Sequence, residues 1–134
     1  MPILPTRRFA SQTEVSEDAT VKIRFNDGRS IQVPGDKGQA GREYLRVAAS
    51  GRSVGWLEVN APVGSYSVPM TLTVYTVGKS LRHFGDGLML LDWQFVDGDK
   101  HVQFSSSQVH GPGSLWHIME VQDIQTGRLT KAVD

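Results

Sequence analysis

Five glycines that close turns constrain this chain more than any other feature. Gly28, Gly78 and Gly127 stand 50 and 49 positions apart, and each precedes a basic residue, Arg29, Lys79 or Arg128. Gly51 and Gly98 stand 47 apart, and the aromatic residues on the strands that follow them, Trp56 and Phe104, stand 48 apart. A constant period in the range of roughly 20 to 50 residues is the mark of a stacked or radial repeat, because one unit alone cannot cover its own apolar face.

Between the glycines the chain alternates with period two, the spacing of a half-buried strand. Val21, Ile23 and Phe25 alternate with Lys22 and Arg24, and Asn26-Asp27-Gly28 supplies residues that tolerate positive φ in a tight hairpin turn. Ile31 and Val33 carry the return. The same reading gives hairpins around Ser50-Gly51, Gly78-Lys79, Asp97-Gly98 and Thr126-Gly127. Helical spacing with caps is missing over any useful length. The predicted fold class is therefore all-β, about ten antiparallel strands in successive hairpins. The predicted organisation is a flexible arm over 1–18, where Pro2, Pro5 and a polar acidic run show no periodicity, and an all-β domain over 19–134. Within that domain lie a hairpin over 20–33 and two repeats over 44–82 and 88–130.

The turns carry a resemblance. Val47-Ala48-Ala49-Ser50-Gly51-Arg52-Ser53-Val54-Gly55-Trp56 resembles the first hairpin of a blade in WD40-like and TolB-type β-propellers, and Phe95-Val96-Asp97-Gly98-Asp99-Lys100 is similar. Val121-Gln122-Asp123-Ile124-Gln125-Thr126-Gly127-Arg128-Leu129 resembles the second hairpin, where an Asp-x-x-Thr-Gly-basic turn is typical. Asn26-Asp27-Gly28-Arg29 and Val77-Gly78-Lys79 are shorter versions. The proline of the first turn is absent from both copies, and Asp92-Trp93 reverses the Trp-Asp pair of many such strands. The Trp-x-Phe-Val-Asp-Gly and Val-His-Gly segments also resemble those of small bacterial proteins, a likeness to which no activity attaches. Propellers close with roughly four to eight blades. Two repeats and a hairpin leave faces uncovered, so either the sheets pack face to face as a sandwich or several chains assemble. A compact two-sheet packing within the chain is expected, and a homodimer can form on top of it.

Composition removes several classes of function. Fourteen basic and fourteen acidic residues give zero formal net charge, so the positive field that nucleic acid or an anionic membrane requires is missing. The 39% hydrophobic and 21% charged residues are a globular balance, not a disordered one. The absence of cysteine excludes disulfides, thiolate metal sites and thiol catalysis. The longest apolar run, Leu88 to Leu91, suits a strand and not a membrane span. The first twenty residues lack the apolar stretch of a secretory signal. A cytoplasmic location is the expectation, or a periplasmic one if a leader has been removed.

If hairpins stack as blades do, the short turns lie at one end of the strands and the longer connections, 34–43, 60–69, 83–87 and 105–114, at the other. Long loops on a rigid scaffold commonly carry binding. Tyr66, His83, Asp86, His110 and Trp116 are the candidate binding residues there; Trp56 and Trp93 sit at inward positions, and Trp116 is either a third core residue or, if exposed, a binding anchor. The expected function is a non-enzymatic binding or interaction module for a protein or a small ligand, with no cofactor. Two alternatives stand beside it. One is a metal-dependent or hydrolytic enzyme near His110, using His117 and Asp86 or Asp92 as ligands, or Ser105, Ser106 or Ser107 as nucleophile. No nucleophile-elbow pattern surrounds those serines, no carboxylate pair stands out among Glu43, Glu58, Asp92 and Glu120, and His110-Gly111-Pro112-Gly113 lacks the lysine of a phosphate loop. The other alternative is a structural subunit of a larger propeller-like assembly.

Overall fold

A computed structural model describes residues 8–35, 39–60, 70–109 and 115–133. Ten strands build it: β1 (Ala10–Val15), β2 (Val21–Phe25), β3 (Ser30–Val33), β4 (Gln39–Val47), β5 (Ser53–Asn60), β6 (Met70–Thr76), β7 (Arg82–Val96), β8 (His101–Val109), β9 (Leu115–Asp123) and β10 (Leu129–Val133). All pairings are antiparallel, and no helix occurs among the described residues. The fold is all-β and sandwich-like.

β1, β2 and β3 make one sheet, and β4 to β10 form a ladder in chain order. The long strand β7 divides that ladder. Its first half pairs with β6 and its second half with β8, with register shifts on either side of the division. Gly85, at φ +64°, lies within the first half. A Cβ there would come within 3.1 Å of Leu90 and 3.3 Å of Phe104, so the bend needs both the conformational freedom and the bareness of glycine. Two four-stranded sheets thus share one strand, β4-β5-β6-β7 and β7-β8-β9-β10.

The middle sheet is covered on both sides. In β2 the pattern is strict, with Val21, Ile23 and Phe25 buried and Lys22 and Arg24 exposed. β5 instead is buried without interruption from Ser53 to Glu58. Val54 and Trp56 pack with Val21, Ile23 and Phe25 of the first sheet. Leu57 turns the other way and joins Leu72, Val74, Phe84, Leu90, Trp93, Val102, Phe104 and Ile124. Trp56 and Trp93, 0% and 1% exposed, are core residues as expected.

Arg42 ties the first sheet to the second. Its Nη1 donates to the carbonyls of Ala19, at 3.1 Å, and Val33; its Nη2 donates to the Pro34 carbonyl at 3.0 Å and to Glu58 Oε1 at 3.2 Å. The two side chains are 1% and 9% exposed, and the guanidinium lies 5.4 Å from the Trp56 ring centroid. A buried cation needs such a partner set to offset its desolvation.

Several expectations require correction. The arm placed over 1–18 contains a strand, β1, paired along β2, and its acidic run forms the connecting turn: Ser16 and Asp18 cap it, with Ala19 at φ +66°. Ser11-Gln12-Thr13-Glu14 carries no apolar alternation, so the strand is held by backbone pairing with β2 and escapes a hydrophobicity reading. The leading hairpin is therefore part of a three-stranded sheet, which adds a layer to the two packed four-stranded sheets. The connections are also shorter than expected. Residues 39–43 belong to β4, 83–87 to β7 and 105–109 to β8. Polar residues such as Arg42 and Ser105 suggested loops, whereas ladder pairing extends the strands through them, and β7 continues past Asp86.

Candidate functional site

All five turn glycines adopt positive φ, between +65° and +86°. A chain of hydrogen bonds gathers their turns at one end of the molecule. Asn26 N donates to the Phe9 carbonyl (3.0 Å), Ala10 N to Gly51 O (2.8 Å), and Val77 N to Arg52 O (2.9 Å). From the middle sheet to the third, Ser50 N donates to Asp99 Oδ2 at 2.8 Å, and Arg82 Nη2 to the Gln125 carbonyl at 2.7 Å. Within the third sheet, Ile124 N donates to Lys100 O at 3.0 Å.

Between the turns of the second and third sheets lies a cleft of about 470 Å³. Ser50, Arg52, Ser53, Thr76, Val77 and Lys79 form one wall; Gly98, Asp99, Lys100, Asp123, Ile124 and Gln125 form the other. Its volume is within the usual range for small-molecule sites. A larger hollow of about 650 Å³ lies over the solvent face of the first sheet, among Gln12, Glu14, Lys22, Arg24 and Gln32. It is one sheet's own concavity, and Glu14 and Lys22 face each other across it at 4.0 Å. The cleft is the stronger candidate because two independent layers converge on it.

The charges of the cleft are unequally engaged. Asp99 accepts the Ser50 N–H, and Asp123 Oδ1 accepts the N–H groups of Gln125 and Thr126, both at 2.8 Å. The Thr126 N–H is the main reason the Asp123 carboxyl is held below its ordinary value. The other Asp123 oxygen lies 3.7 Å from His101 Nε2, while His101 Nδ1 is 3.1 Å from Asp97 without an aligned hydrogen bond. Arg52 Nη1 donates to the Arg8 carbonyl. Lys79 and Lys100 are exposed and form no ion pair among the described residues.

The capped aspartates set an acid limit on the fold. Asp18, Asp27 and Asp123 are all lowered from 3.8, chiefly by the Ser16 hydroxyl, the Arg29 N–H and the Thr126 N–H respectively. A depressed folded value means that the unfolded chain takes up protons first as pH falls. The stabilisation is therefore complete above the unfolded value of 3.8 and is lost as pH drops through the lower folded values. Thermal melts across that window should show a falling midpoint, and Asp123→Asn should flatten part of the slope. An unchanged slope in that variant would remove the Asp123 turn from the account.

Of the expected binding residues, His83 is on β7, exposed, with Nδ1 2.8 Å from Thr73 Oγ1. Asp86 and Trp116 are placed on β7 and β9, but their side chains, like the whole of Tyr66 and His110, lie outside the described residues. The cleft residues Arg52, Lys79 and Lys100 were not among those expected. For Lys79 the signal was present in the basic residue that follows Gly28, Gly78 and Gly127, read only as a mark of repetition; Arg52 directly follows Gly51, and Lys100 stands two positions after Gly98. Comparison with protein-family models, with curated proteins and with solved structures finds no match.

Proposed function

We propose that this domain is a non-enzymatic binding module whose ligand seats in the cleft at the glycine-turn end. The observation that carries the reading is the convergence of turns from two sheets on one cleft, braced by hydrogen bonds from Ser50 to Asp99 and from Arg82 to Gln125. A site held by rigid elements loses little freedom when a ligand arrives. We read the two four-stranded sheets as blade-like units, since the pairs Gly51 and Gly98, and Gly78 and Gly127, recur at offsets of 47 and 49 in matching hairpins. The outer faces favour a finished stack over a segment of a larger ring. Lys22 and Arg24 on one side and Asp92 and Gln94 on the other are exposed and polar, unlike blade faces that await a neighbour.

A fragment screen by amide NMR tests the reading. Small ligands are expected to shift the amides of Ser50, Arg52, Gly98, Lys100 and Gln125 as one saturable set. Light scattering is expected to show a monomer. Hits confined to other surfaces, or none at all, would remove the cleft as the binding site.

A further inference from the structure

We infer that the cleft recognises a small phosphomonoester through its phosphoryl group; this rests on the cleft being the binding site. Each acid of the cleft already accepts backbone N–H groups: Asp99 that of Ser50 on the facing wall, and Asp123 those of Gln125 and Thr126 in its own turn. The ammonium groups are not, since Lys79 and Lys100 pair with no carboxylate among the described residues. They come from opposite walls, Lys79 from the β6–β7 turn and Lys100 from the β7–β8 turn, so an anion between them would be held from both sheets. Arg52 adds a third cation, and the Ser53 and Thr76 hydroxyls, hydrogen-bonded to each other at 3.0 Å, leave one O–H to donate toward a phosphate oxygen. A singly charged carboxylate would leave one lysine unmatched, whereas a phosphomonoester carries nearly two charges at neutral pH. The volume of about 470 Å³ accommodates the phosphoryl group together with a small organic remainder.

Both lysines are exposed, so each contributes modestly and the attraction is screened by salt. The test is a titration at pH 7.5 with inorganic phosphate and with phenyl phosphate, read by amide shifts, with phenol as the neutral comparator. Saturable shifts across both walls are expected, with dissociation constants in about the millimolar range. Lys79→Gln and Lys100→Gln are each expected to weaken binding about threefold, and the double variant about tenfold. Lys22→Gln, on the far face of the first sheet, should change nothing. Phenyl phosphate binding more tightly than inorganic phosphate indicates an ester ligand; equal affinity overturns the ester and leaves a phosphate site. If phenol or uncharged fragments fill the cleft and neither phosphate does, the anion chemistry is wrong and the binding module stands. If no probe shifts the cleft, both fall.

Discussion

Replacing Gly55 by valine is expected to lower the stability of this domain by about 3 kcal/mol, and by alanine about 2 kcal/mol, the cost of forcing volume into a closed core. Gly55 is on β5 with the indole of Trp93 lying against it. A Cβ at that position would come within 2.5 Å of Trp93 Cη2 and 3.1 Å of Cζ2 and Cζ3. Three contacts hold the ring in place. Its Nε1 donates to the Tyr44 carbonyl at 2.9 Å, its edge meets Phe95 at 5.0 Å between centroids, and Arg46 lies 5.8 Å from its centroid. Urea unfolding should show a lower midpoint at an unchanged slope. Gly55→Ala combined with Trp93→Phe should recover part of the loss, because the smaller ring vacates the contested space. Gly78→Ala is the comparator: no atom lies within 4 Å of its Cβ position, and at φ +78° it should cost about 1 kcal/mol through backbone strain alone. A Gly55→Ala variant as stable as the parent would show that the second and third sheets do not meet at this point.

Arg42→Met should cost about 3–5 kcal/mol, the range for breaking a buried ion pair from one side. The change strips donors from three backbone carbonyls, those of Ala19, Val33 and Pro34, and breaks the buried ion pair between Arg42 and Glu58. Trp56 Nε1, at 3.3 Å from Glu58 Oε1, would remain. The loss should be local. Amide exchange in β2 and β3 should quicken more than in β8 and β9, because the described partners of the guanidinium lie in the first and second sheets. Adding Glu58→Leu to Arg42→Met should restore part of the stability, since it removes a buried charge that has lost this ion pair. A cost below about 1 kcal/mol would mean that the carbonyls are satisfied without the arginine.

These two sites lay at different depths in the sequence. Trp93 was legible as a core residue, because it alternates with Asp92 and Gln94. Its seat on Gly55 was not, because a glycine in a strand gives no sign of which aromatic ring will lie over it. Arg42 was assigned to a connecting loop. Its position in β4, and the carbonyls it serves, come from segments 9 and 23 residues away. The cleft shows the same division. Each of its turns could be read from Gly and Asp placement, yet the placing of Lys79 and Lys100 on one cleft depends on two sheets stacking.

By itself the sequence determined the strand class, the five glycine turns at positive φ, and the inward side of β2 with its buried Val21, Ile23 and Phe25. Those properties follow from backbone sterics and from a side-chain period of two, which act within a few residues. The three-layer stacking, the strand status of β1, the shared strand β7 and the composition of the cleft were decided only in three dimensions. They arise from contacts between residues tens of positions apart, and such contacts are selected by how whole sheets bury one another's faces.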